Sequence, residues 1–108
     1  CGGDGRVRRG VGRGRRVRPL RSVRRRDWRR YFARLPREIQ QVAEERYEMW
    51  LRDPSTQSLA FKLMHYREKG RACYEVAITS KYRAVCFKDE DTYVWYWIGT
   101  HNAFDRRF

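Results

Sequence analysis

The hydrophobic pattern of this chain changes period once, at Asp53-Pro54, and that change limits the fold more than any other feature. Before it, apolar residues recur at helical spacing; after it, they alternate or run together as strands do. Trp28, Tyr31, Phe32 and Leu35 stand at i, i+3, i+4 and i+7, one stripe of a short helix that Asp27 can cap. Pro36 breaks the hydrogen-bond ladder and suits the first turn of a second helix, with Glu38 at the positive end of its dipole. The second stripe is Ile39, Val42, Ala43, Arg46, Tyr47, Trp50 and Leu51, with Glu44, Glu45 and Glu48 off it. The residue before a proline is pushed out of the α region, so this helix ends at Asp53-Pro54. Two amphipathic helices in succession make an αα-hairpin with one buried side.

Beyond Pro54 the chain reads as strands. Ser58 to Met64 starts as a turn and enters a strand around Phe61 to His65, and Arg67-Glu68-Lys69-Gly70 is a polar turn. Tyr74 to Thr79 alternates, with Tyr74, Val76 and Ile78 on one face. Ser80-Lys81 is a tight connection to a strand over Tyr82 to Lys88, and Asp89-Glu90-Asp91 is an acidic turn. Tyr93 to Gly99 is apolar on both sides, which places it centrally in a sheet, and Trp95 and Trp97 share one of its faces as core or as a groove for a partner. The expected fold is α+β: an N-terminal αα-hairpin packed on an antiparallel sheet of three to four strands. If Ser80 and Lys81 form a two-residue turn, Cys86 faces Glu75 and Cys73 faces Lys88. The cysteines are then diagonal neighbours, and a disulfide is not favoured.

Charge divides the chain differently. Residues 1–34 hold 14 Arg against Asp4 and Asp27, a net +12, whereas residues 35–108 hold 12 Lys and Arg against 11 acids, a net +1. Residues 1–26 are nearly all Arg, Gly and Val, too poor in apolar surface to offset their ordering entropy, so they read as a disordered tail before a domain at 27–108. The tail fits three readings: an RNA-binding arm of the Arg-Gly type, a targeting peptide without an apolar core, or upstream DNA read in frame. The third reading is preferred and expects translation to start near Val17 or Val23, since Cys1 opens the chain and its methionines are Met49 and Met64. The longest apolar run, Tyr93 to Ile98, is far below the about 20 residues of a membrane-spanning helix. Aromatic residues make up 15% of the chain, enough to fill a core and against disorder throughout.

Several segments together resemble the RelE/ParE superfamily of type II toxins. They are Leu35-Pro36-Arg37-Glu38-Ile39-Gln40 with Ala43, Tyr47, Trp50 and Asp53-Pro54, then Leu59-Ala60-Phe61-Lys62, Tyr74-Glu75-Val76-Ala77-Ile78 and Tyr82-Arg83-Ala84-Val85. The ending Trp97-Ile98-Gly99-Thr100-His101-Asn102-Ala103-Phe104-Asp105 is similar to the Gly-Ser/Thr-His ending of the ribonuclease branch. The resemblance implies a bacterial, cytoplasmic toxin paired with a cognate antitoxin, acting on the ribosome as a metal-independent endoribonuclease that cleaves mRNA. It leaves two alternatives: a gyrase-inhibiting toxin of the ParE kind, or a catalytically weakened RNA-binding homologue. No small-molecule cofactor and no membrane partner are implied.

The residues can be weighed for that chemistry. Cleavage of RNA needs a group to deprotonate the 2′-hydroxyl, one to protonate the leaving oxygen, and cations for the charged phosphorane. His65 and His101 are the only histidines, and Cys73 and Cys86 lack metal-site spacing, so metal-free chemistry is expected. His101, placed after a strand at a loop opened by Gly99, is the first catalytic candidate, because an imidazole titrates near neutrality. Arg83 can reach a phosphate bidentately or pair with Glu75, and Lys62 supplies a point charge or is an ordinary strand lysine. Lys81, Tyr82, Lys88, Glu75 and Asp105 are the expected RNA-binding set. Tyr82 would stack on a base, Glu75 would form an ion pair or act as a base, and Asp105 would cap a terminal helix or orient His101. Toxins of this type often carry a basic residue where Ala77 stands here, which removes a cation from the expected RNA face.

Overall fold

The structure is a computed structural model and describes residues 20–108. Its elements are β1 (Arg21–Arg24), α1 (Arg26–Ala33), α2 (Arg37–Arg52), a 3-10 turn (Gln57–Leu59), β2 (Lys62–Glu68), β3 (Arg71–Thr79), β4 (Tyr82–Asp89), β5 (Thr92–Thr100) and α3 (His101–Arg107). One five-stranded sheet runs in the order β1-β5-β4-β3-β2. Strands β2 to β5 form the antiparallel meander read from the sequence, and β1 joins the open edge of β5 in parallel, Arg21 beside Thr92 through Arg24 beside Trp95. The fold is α+β as expected, but the sheet is mixed and has five strands, and a third helix closes the chain.

Ordered structure also begins before Asp27. Strand β1 has one apolar residue, Val23, and that residue is exposed, so no hydrophobic pattern announces it. Main-chain pairing with β5 holds it, extended by a hydrogen bond from Arg25 N to Trp95 O at 2.9 Å. The sequence reading of residues 1–19, Val17 included, lies outside the described residues.

Helix α2 has the limits its prolines set, with Pro36 at the N-cap and Asp53 at the C-cap. Asp27 is not the cap of α1; that position belongs to Arg25, and Asp27 sits in the first turn, where it accepts from Trp28 N and pairs with Arg25 at 2.7 Å. Helices α1 and α2 follow one another and pack into one core on the same face of the sheet. Helix α1 contacts mainly β5, and α2 contacts β3. The cause is the entry of the chain: α1 follows β1 directly, so it must start at the rim of β5. Tyr31 accordingly packs against the cores on both faces of the sheet.

Both faces are covered, which explains why Ala84 to Phe87 and Trp95 to Ile98 are buried without interruption. On one face Trp28, Ala43 and Trp50 pack against Val76, Ile78, Cys86 and Trp95. Trp50 is fully buried, with edge-on contacts to Phe61, Tyr93 and Trp95 at centroid distances of 5.7, 5.2 and 5.1 Å. On the other face Cys73, Val85, Phe87, Tyr96 and Trp97 lie under Phe104 and Phe108 of the α3 segment.

Two β-bulges overturn the expected register. Between Ala77↔Arg83 and Thr79↔Tyr82 the pairing slips by one at Ile78, so Glu75 faces Val85, Tyr74 faces Cys86 and Cys73 faces Phe87. A one-residue slip moves side chains to the other face. Cys73 and Cys86 therefore lie in different cores, both as free thiols, and not as diagonal neighbours. Between Val85↔Trp97 and Cys86↔Trp95 the extra residue is Tyr96. It turns Trp97 to the α3 side, whereas Trp95 stays with α2, so the two indoles do not share a face.

Candidate functional site

The site forms where the β3–β4 turn meets the junction of β5 and α3. Thr100 Oγ1 accepts from Ala103 N at 3.1 Å, so Thr100 is the N-cap of α3 and His101 its first residue. His101 N donates to Lys81 O at 2.7 Å, tying the helix start to the turn. Across one helical turn, His101 Nδ1 lies 3.2 Å from Asp105 Oδ2, with the imidazole 44% exposed. Asp105 therefore lies beside His101 and does not cap. Ser80, Lys81, Tyr82, Thr100, His101 and Asn102 line an open groove of about 560 Å³.

Arg83 stands on β4 between two small neighbours, Ala77 on β3 and Gly99 on β5. That space lets its guanidinium fold back: Nη1 donates to Thr79 O at 2.9 Å and to Tyr82 O at 3.3 Å. Nε lies 3.5 Å from Glu75 Oε1, and both side chains are mostly covered. The ion pair with Glu75 was one of the two sequence readings of this arginine. Lys62 is the direct partner of Glu75 on β2. Lys62, Glu75 and Arg83 thus form a row across three strands, beside a groove of about 250 Å³ that Lys62, Met64 and Glu75 share with Phe104 and Phe108.

The predicted residues fall into two neighbouring groups. His101, Asp105, Lys81 and Tyr82 gather at the helix start, and Lys62, Glu75 and Arg83 in the strand row. Lys88 belongs to neither. It lies at the far end of β4, with Nζ over the Tyr93 ring at 5.5 Å, on the α2 side of the sheet. The strand alternation that carries Arg83 to the α3 side carries Lys88 to the other. Nor does Gly99 open a loop; it is a residue of β5, and its lack of a side chain leaves room for the Trp97 indole. Sequence reading missed Thr100, although a threonine ahead of a helical stretch is a capping signal. It also missed Asn102 and Arg34. Arg34 borders a third groove, of about 330 Å³, which shares Tyr82 and Thr100 with that of His101.

Among the described residues, no three His, Cys, Asp or Glu side chains gather as a metal site requires, and no helix is long and apolar enough to cross a membrane. The arrangement offers one imidazole beside a carboxylate, an anchored guanidinium and two lysines at one end of a sheet, groups of the kind that move protons near a phosphate and offset its charge.

No protein-family model matches the chain, and no curated protein matches it in sequence. Solved structures match it in fold. One belongs to the toxin–antitoxin complex RelBE2 from Mycobacterium tuberculosis, at 17% identity and TM-score 0.56, covering 77% of this chain and 99% of that one. A second belongs to the archaeal RelE–RelB complex from Pyrococcus horikoshii OT3, at 12% identity and TM-score 0.57, covering 77% and 96%. A copper-bound mutant toxin from Helicobacter pylori matches at 16% identity and TM-score 0.53, covering 78% and 97%. The meander, the edge strand and the helices on its two faces are therefore the RelE toxin fold.

Proposed function

We propose that this protein is the toxin of a toxin–antitoxin pair and that it cleaves mRNA as a ribosome-dependent, metal-independent endoribonuclease. The observation that carries the reading is His101 at the open groove, its Nδ1 on Asp105 and its main chain fastened to the turn that bears Lys81 and Tyr82. With Nδ1 engaged, Nε2 is the nitrogen left to exchange a proton with RNA. In the proposed reaction the 2′-hydroxyl loses its proton and attacks the adjacent phosphorus, and the 5′-oxygen leaves with a proton supplied at His101. Arg83 and Lys62 offset the charge of the phosphorane, the Glu75 carboxylate takes the 2′-proton, and Tyr82 stacks on a neighbouring base. The partners are an antitoxin, as in the RelE–RelB complexes of similar fold, and the ribosome with its mRNA, which puts the action in the cytoplasm.

Expression of the chain is expected to arrest growth. His101→Ala and Arg83→Ala are each expected to relieve the arrest by lowering cleavage about 10²- to 10⁴-fold, read by mapping mRNA 5′ ends on ribosomes. If both variants arrest growth as the parent does, the nuclease reading fails. A second reading, a toxin that inhibits gyrase by binding, draws on Ala77. It faces Arg83 with no charge of its own, while Arg83 is held by Glu75. DNA breaks in place of mRNA cleavage would select it.

A further inference from the structure

The outer face of α1 carries four arginines and one alanine, Ala33. Trp28, Tyr31 and Phe32 turn inward, and Arg26, Arg29, Arg30 and the C-cap Arg34 turn outward, all four exposed. At i, i+3, i+4 and i+8 they share one side of the helix. The single acid of α1, Asp27, pairs with Arg25, and Glu44 of α2 pairs with Arg24. Among the described residues the four have no carboxylate partner, and the Arg29 guanidinium donates to Arg24 O at 3.3 Å. Like charges this close repel one another, so the face lacks the interleaved acids of an ordinary solvated helix.

The row also has a direction. Arg34 borders the groove that shares Tyr82 and Thr100 with the groove of His101, and Arg30, Arg29 and Arg26 lead away from it over about 12 Å at 1.5 Å per residue. A guanidinium grips a phosphate in bidentate fashion, which suits a row of arginines to a backbone of regularly spaced phosphates.

We propose that the outward face of α1 is a binding surface for the sugar–phosphate backbone of RNA, continuous through Arg34 with the groove of His101. This rests on the reading of the protein as an RNA-cleaving toxin. The face holds strand beyond the reacting nucleotides, contributes affinity without base preference, and takes no part in the proton transfers.

The test is binding of a fluorescent 2′-O-methyl RNA to the full chain across a salt series. The probe cannot be cleaved, so binding is read whether or not the protein is a nuclease. Three proteins are compared: the parent, the triple variant Arg26→Gln, Arg29→Gln, Arg30→Gln, and the triple variant with Lys at the same positions. Arginines before Leu20 are common to all three and cancel. The Gln variant is expected to lower the slope of log K against log salt by about two, at about 0.7 for each phosphate no longer neutralised. The Lys variant is expected to keep the parent slope. If the Gln variant fails to fold, Arg26→Gln and Arg30→Gln singly are each expected to lower the slope by about 0.7. An unchanged slope overturns the proposal. So does a Gln variant that keeps its RNA binding but loses binding to a poly-glutamate peptide, which would assign the face to an acidic protein. Loss of mRNA cleavage in His101→Ala with the slope intact concerns the nuclease reading alone.

Discussion

A Cβ built on Gly99 would stand 2.9 Å from Cζ2 and 3.0 Å from Cη2 of Trp97. The indole cannot retreat: it is 3% exposed and packed by Tyr31, Phe104 and Phe108 at centroid distances of 6.1, 6.1 and 5.5 Å. Gly99→Ala is therefore expected to destabilise the fold by about 1–3 kcal/mol, the usual cost of overpacking, as measured by urea unfolding. A variant as stable as the parent would show that Trp97 has room to move. The sequence singled out this glycine but read it as a loop opener, because spacing along a strand does not reveal an indole folded across it. Arg83 is similar. Its pairing with Glu75 was foreseeable as one of two readings, but the carbonyls of Thr79 and Tyr82 that anchor Nη1 depend on a turn conformation no pattern specifies.

Among the elements, β1 gains its importance from one hydroxyl. Ser22 Oγ accepts from Trp95 Nε1 at 3.1 Å and meets Tyr47 Oη at 2.8 Å, so it joins the edge strand to β5 and to α2. Ser22→Ala leaves both aromatic polar groups without that partner and is expected to cost about 1–3 kcal/mol. Val23→Ala, at the exposed apolar residue of the same strand, is expected to stay within about 0.5 kcal/mol. Thermal melts of the two variants side by side check the contrast; equal costs would mean that β1 is held by its backbone alone. Helix α2 and strands β2 to β5 were legible because proline, turn residues and apolar period all act locally. Strand β1 was not, since an Arg-Ser-Val-Arg segment becomes a strand only through the edge it finds. The bulges at Ile78 and Tyr96 were hidden for the same reason: register is settled by the covering helices and not by either strand. Helix α3 was half legible, its Asp105 read as cap or as orienter of His101, with the cap in fact supplied by Thr100.

At the scale of the whole molecule, covering both faces of one sheet puts ionisable groups into two dry cores. Burial pushes the thiol of Cys86 well up on the α2 side. On the α3 side it pushes up the Cys73 thiol and the Tyr96 phenol, which lie 3.5 Å apart. In each case the folded state favours the protonated form. The stabilisation is fully present below the ionisation range of the unfolded chain, near pH 9 for the thiols and 10 for the phenol, and is lost as pH rises toward the higher folded values. Stability is therefore expected to hold level from pH 7 to 8 and then fall. The slope is about 1.4 kcal/mol per pH unit for each group ionised only in the unfolded chain. Urea unfolding at intervals from pH 7 to 10.5 reads it. Cys86→Ala and Cys73→Ala should each flatten the part of the curve that begins near pH 9, and Tyr96→Phe the part above 10. The two thiols lie in separate cores, so the effects of their variants should add to within about 0.5 kcal/mol. Stability that stays flat to pH 10.5 would contradict the burial of these groups, and a decline between pH 8.5 and 10 as steep in the double cysteine variant as in the parent would move its cause away from the thiols.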